Sequence, residues 1–143
     1  MNAEKQLKTL AKMIDHSLLH PTFTDNDIRA GCELSKKYDV ATACVKPYAI
    51  ELACEVLDGT DVDVCAVIAF PHGNSTTRIK ILEAEDAAKR GATEIDMVVN
   101  IGKVLGGDWE YVSEEIKSIN TAVVQHDALL KVIFENDFLE DEH

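Results

Sequence analysis

The sequence predicts an α/β fold wound as a barrel of parallel strands. Three observations lead there. Short runs rich in Val, Ile and Ala recur along the chain, segments with helical periodicity separate them, and polar residues gather where the runs end. Alternation with connections this short produces parallel strands joined by crossover helices. An open nucleotide-binding sheet would carry a glycine-rich turn after its first strand, and His20-Pro21-Thr22-Phe23 is not one. The barrel reading accounts for polar residues at successive strand ends.

In chain order, an amphipathic helix over Ala3 to Ala11 precedes a first strand within Met13 to Leu19. Thr24, followed by Asp25 and Asp27, opens a helix from Asp25 to Tyr38, because a side-chain oxygen and early carboxylates suit the unpaired amides of a helix start. A second strand lies within Ala41 to Val45, followed by a helix from Tyr48 to Leu57. The apolar run Val62 to Phe70 is a third strand. The next helix, Thr76 to Gly91, ends on Lys89, Arg90 and Gly91, the basic residues and glycine of a helix stop. Thr93 to Asn100 is the fourth strand, Asp108 caps a helix from Trp109 to His126, and Leu129 to Glu135 is the fifth strand. No linker or low-complexity tract interrupts residues 1 to 143, so a single domain is expected.

Composition narrows the function. With 14 Lys and Arg against 26 Asp and Glu, the formal charge is −12, which disfavours nucleic-acid binding. The first twelve residues have no secretory apolar core, and the longest strongly apolar run, Val64 to Phe70, is too short to span a bilayer. Cys32, Cys44, Cys54 and Cys65 form no CxxC pair and read as reduced core thiols, so a cytoplasmic location without membrane contact is expected. The five histidines lack metal-ligand spacing, and no metal or other cofactor is expected.

Side chains two apart share a strand face, which puts Glu94, Asp96, Val98 and Asn100 on one side of the fourth strand and Leu129, Lys131, Ile133 and Glu135 on one side of the fifth. Asp96 and Lys131 thus sit mid-strand among apolar neighbours, where a charge costs several kcal/mol unless paired. The pattern leaves two explanations open, a structural ion pair and an active site in which an amine and a carboxylate act on a carbonyl substrate. Asp15 and Ser17, and Thr42, Cys44 and Lys46, share faces of the first two strands, and Phe70-Pro71-His72-Gly73-Asn74 closes the third.

Five segments, Ile14-Asp15-His16-Ser17-Leu18-Leu19-His20-Pro21, Ala43-Cys44-Val45-Lys46-Pro47, Phe70-Pro71-His72-Gly73-Asn74, Gly91 to Asn100 and Leu129 to Glu135, together resemble the deoxyribose-phosphate aldolase family. The resemblance implies a TIM barrel and a metal-free class I aldolase that cleaves 2-deoxy-D-ribose 5-phosphate to glyceraldehyde 3-phosphate and acetaldehyde through a lysine Schiff base. It makes Asp96 the catalytic aspartate, moving protons with an ordered water, and Asp15, Ser17, Cys44 and Lys131 the substrate pocket. Ser17 stands where the family usually has threonine. Lys131 matches a lysine that supplies charge and not the imine. The imine-forming lysine belongs to a sixth-strand V-K-T-S-T-G motif, which this sequence does not contain. On this resemblance the chain is expected to be the first five strand–helix units of an eight-stranded barrel, with Asp137 to His143 opening the fifth crossover helix. It is expected to bind a sugar phosphate or aldehyde, and to form a homo-oligomer or pair with a complementing C-terminal half. The alternative is a catalytically inactive half-barrel serving as an oligomeric or ligand-binding module.

Overall fold

A computed structural model describes residues 2–143. Its helices are α1 (Ala3–Ala11), α2 (Asp25–Tyr38), α3 (Ile50–Leu57), α4 (Thr77–Lys89), α5 (Ile101–Leu105) and α6 (Trp109–Val124). Its strands are β1 (Asp15–Ser17), β2 (Thr42–Val45), β3 (Asp63–Ile68), β4 (Glu94–Val98) and β5 (Leu129–Ile133). All five strands lie parallel in one sheet in the order β1-β2-β3-β4-β5. That order decides the architecture. A doubly wound sheet reverses its strand order at a switch point, whereas barrel winding adds each strand beside the last.

The sheet is also curled. Five flat strands would put β1 and β5 about 19 Å apart, yet Lys131 Nζ on β5 lies 2.6 Å from Asp15 Oδ2 on β1. The two faces differ as barrel winding requires. On the outer face Ala43, Val45, Val64, Ala66, Ile68, Ile95 and Met97 are buried against Ile28, Cys32, Ile50, Ala53, Ala84, Ala87, Ile119 and Val123 of the helices. The inner face carries the small apolar cluster Cys44, Cys65 and Val67 and then the charged side chains.

Local chemistry fixes several boundaries. Thr24 and Asp27 form a reciprocal capping box at the start of α2, and Asp108 accepts a hydrogen bond from the Tyr111 amide at the start of α6. The strands are shorter than the apolar runs that signal them, because Ile14, Leu18 and Phe70 continue the run beyond the regular strand. Two elements escape the periodicity. The five-residue α5, capped by Asn100, is too short for a helical repeat to register. After β5 the chain makes one 3-10 turn over Asn136–Phe138, and residues 139–143 do not continue as a helix, so the expected crossover helix is present only as that turn. The loop after β3 packs tightly on the end of β4. At Gly73, with φ +63°, a Cβ would fall 1.9 Å from the Val99 carbonyl oxygen, so only glycine fits.

Candidate active site

Sequence-adjacent strands bring Asp96 and Lys131 into register as direct partners, and their side chains meet on the inner face. Lys131 Nζ lies 2.6 Å from Asp15 Oδ2, 2.8 Å from Glu94 Oε2 and 3.2 Å from Asp96 Oδ1. The Asp15 contact is a well-directed hydrogen bond. The Asp96 contact is ionic only, since Oδ1 is buried and accepts no hydrogen bond from the described residues. Thr42 Oγ1 donates to the other Asp15 oxygen over 2.9 Å and holds that carboxylate facing the lysine.

Burial by itself lowers a lysine's affinity for its proton. Here hydrogen bonding to Asp15 and Glu94, together with the charge of Asp96, outweighs it, and the Lys131 ammonium is held well above the ordinary lysine value. The group is therefore a fixed cation near neutral pH and a poor nucleophile. Three carboxylates around one ammonium leave a local charge of −2, with Lys131 and Asp15 still partly open to solvent. Such a site favours a polar, electron-poor ligand atom over a second anion.

Cys44 adjoins the cluster, its thiol pointing at Asp96 Oδ2 over 4.0 Å. Cys65 is its register partner on β3 and wholly buried. A hydrogen bond with Cys44, burial and the nearby Asp96 charge raise the Cys65 thiol far above its ordinary value. Of the residues singled out by sequence, the structure thus brings together Asp15, Cys44, Asp96 and Lys131. Ser17 pairs with Cys44 in the sheet register but makes no side-chain hydrogen bond to the cluster among the described residues. Lys46 turns away to donate to the carbonyls of His20 and Phe23, at 2.9 and 3.5 Å, and His72 is exposed on its loop.

Glu94, Thr42 and Cys65 also belong to the site. Glu94 carries the signal that exposed Asp96, a carboxylate on the inner face two residues earlier. The strand pattern alone does not join Asp15 to Lys131, because β1 and β5 are the outermost strands and only curvature brings them together; the family resemblance is what places both in one pocket. A second cluster left no trace in the strand pattern. Lys80 of α4 donates to Glu115 Oε2 of α6 and to the Val98 carbonyl, both at 2.9 Å, and is completely buried.

Residues 9–142 match the model of the DeoC/LacD family of aldolases. The chain belongs to that family. It is 45% identical over 143 residues to the deoxyribose-phosphate aldolase of Caldanaerobacter subterraneus subsp. tengcongensis, a match that covers 99% of this chain and 62% of that protein. The structure superposes with a TM-score of 0.88 on one assigned as a deoxyribose-phosphate aldolase from Coccidioides immitis, at 36% identity, covering 94% of this chain and 52% of that one. A tetrameric deoxyribose phosphate aldolase from Aeropyrum pernix gives a TM-score of 0.84 at 30% identity, covering 94% and 56%. The chain therefore spans little more than half the length of these relatives. The five parallel strands and alternating helices are those of an aldolase barrel, present here in part.

Proposed function

We propose that this chain supplies the carboxylate and ammonium half of a class I aldolase site acting on 2-deoxy-D-ribose 5-phosphate. The observation that carries the reading is the inner-face cluster in which one ammonium is shared by Asp15, Glu94 and Asp96 within 3.2 Å. A solely structural ion pair needs one counter-charge. An excess of carboxylates beside a fixed cation, partly open to solvent, suits proton transfer at a substrate hydroxyl.

In this reading Asp96 is the catalytic acid and base, taking the hydroxyl proton through an ordered water as the carbon–carbon bond breaks. Lys131 keeps the developing negative charge low. Asp15, oriented by Thr42, positions Lys131, and Cys44 and Ser17 border the substrate. The imine forms on a lysine of a strand beyond the five described here, because Lys131 is held protonated. Phosphate binding falls to the same later strands, which fits a local charge of −2 on this half. Among the described residues β1 and β5 each pair on one side only. Beside them lie apolar cavities of about 590 Å³, bordered by Leu7, Leu10 and Ile14, and about 470 Å³, bordered by Trp109, Phe134 and Leu139. These edges are where a complementing segment or a second copy joins. A cytoplasmic setting agrees with free thiols and with the absence of any helix long and apolar enough to cross a membrane among the described residues.

The test is complementation. The chain is co-expressed with the part of the Caldanaerobacter aldolase that extends beyond the match, and acetaldehyde release from deoxyribose 5-phosphate is followed. Turnover should need both parts and fall at least a hundredfold with Asp96→Asn, as expected for loss of an acid–base group. Full turnover by a complex carrying Asp96→Asn would overturn the reading.

A further inference from the structure

We propose that Cys44, Cys65 and Asp96 form a binding site for one thiophilic divalent cation of the Zn²⁺ and Cd²⁺ class. The site stands on geometry independent of the aldolase reading. The three residues come from the successive strands β2, β3 and β4 and face the inside of the curl, with Cys44 and Cys65 directly paired in register. One donor atom from each, two sulfurs and a carboxylate oxygen, all lie within 4.8 Å of one another, and the Cys44 sulfur is 4.0 Å from Asp96 Oδ2. With Zn–S near 2.3 Å and Zn–O near 2.1 Å, a tetrahedral ion holds its sulfurs about 3.8 Å apart and sulfur to oxygen about 3.6 Å. Reaching those separations closes no pair of donors by more than about 1.2 Å.

The donor set selects the cation. Two thiolates and one carboxylate suit a borderline-soft ion, whereas Ca²⁺ and Mg²⁺ require oxygen ligands throughout. Binding displaces one proton from each thiol, so the ion's two positive charges meet three negative ligands. The residual charge of −1 is offset only in part by the Lys131 ammonium, 3.2 Å from Asp96 Oδ1 and shared with Asp15 and Glu94. That arrangement is an outer-shell support, since Lys131 holds one oxygen of the carboxylate while the other faces the sulfurs. Three protein ligands leave a fourth position for water. Histidine spacing could not reveal this site, because its ligands come singly from three strands and none is histidine. Cys32 and Cys54, on α2 and α3, belong to no comparable group among the described residues and serve as controls.

The experiment titrates the purified full chain with Cd²⁺ in a non-thiol reductant, reading the ultraviolet sulfur-to-cadmium charge-transfer band and the mass of the native complex. One equivalent should bind, with the band lost in Cys44→Ala and in Cys65→Ala and kept in Cys32→Ala and Cys54→Ala. Asp96→Asn should keep the band and weaken binding at least about tenfold. A second measurement needs no variant: alkylation of the unaltered chain in mild denaturant, with and without Zn²⁺, followed by peptide mapping, should show Cys44 and Cys65 protected and Cys54 not. The proposal is overturned by absence of the band in the unaltered chain, by its persistence in Cys65→Ala, by unchanged affinity in Asp96→Asn, or by equal labelling of Cys65 with and without Zn²⁺.

Discussion

Lys80 and Lys131 both lie against carboxylates, and their surroundings differ in every respect that separates structure from chemistry. Lys80 and Glu115 are both fully enclosed between α4 and α6, at 0% and 1% side-chain exposure. One cation meets one anion, and further hydrogen bonds run from Lys80 to the Val98 carbonyl and from Thr77 and Tyr111 to Glu115. Lys131 is 30% exposed and faces three carboxylates, one oxygen of which accepts no hydrogen bond. A charge-balanced, enclosed pair joins two helices. An overcharged, partly open cluster retains capacity for a ligand.

The largest effect should come from unbalancing the enclosed pair. Glu115→Gln leaves the Lys80 ammonium buried without its counter-charge and should cost about 3–5 kcal/mol in urea unfolding. The double change to Lys80→Met with Glu115→Leu should cost much less than either single change. A Glu115→Gln loss below 1 kcal/mol would erase the contrast.

Next comes Lys131→Met, which removes a charged hydrogen-bond donor and leaves three carboxylates in mutual repulsion. A loss of about 1.5–3 kcal/mol is expected at neutral pH. Its pH dependence carries the sign. The folded-state lysine is raised above its ordinary value of 10.5, so its contribution is complete below about that pH and declines as pH rises beyond it. The stability gap between the unaltered chain and Lys131→Met should therefore be flat from pH 7 to 10 and narrow above. A gap that already closes below pH 9 would mean that the carboxylates do not hold the ammonium.

Thr77→Val, which deletes a hydroxyl that donates to Glu115 over 3.2 Å, should cost about 0.5–1.5 kcal/mol. The smallest effect belongs to Glu94→Gln. Trimming one of three carboxylates around a partly open cation should change stability by less than about 1 kcal/mol in either direction, in contrast to the loss on trimming the single carboxylate at Lys80. Thermal unfolding of both variants side by side checks the pair.

The same contrast explains what could be read from sequence. Period-two alternation on β4 and β5 puts Asp96 and Lys131 on faces of neighbouring strands that can share one interior, because a charge breaks an apolar strand visibly; their direct register is a finding of the structure. Helix boundaries at Asp25 and Trp109 were legible because Thr24 and Asp108 cap through local side-chain bonds. Lys80 and Glu115 were not legible, since polar residues on an amphipathic helix are unremarkable until packing shows which face is covered. The reach of Asp15 to Lys131 depends on sheet curvature, a property of all five strands that no single segment encodes. Cys65 read as one more core thiol because its importance lies in its register with Cys44 and its closeness to Asp96.

The central claim, that the carboxylates hold Lys131 as a fixed cation and keep it from forming an imine, is tested most directly by reductive trapping. The full chain is incubated with acetaldehyde at neutral pH, reduced with borohydride and mapped by peptide mass. Exposed lysines such as Lys8 and Lys117 should carry the reduced adduct, and Lys131 should carry markedly less than either. Preferential labelling of Lys131 would contradict the account.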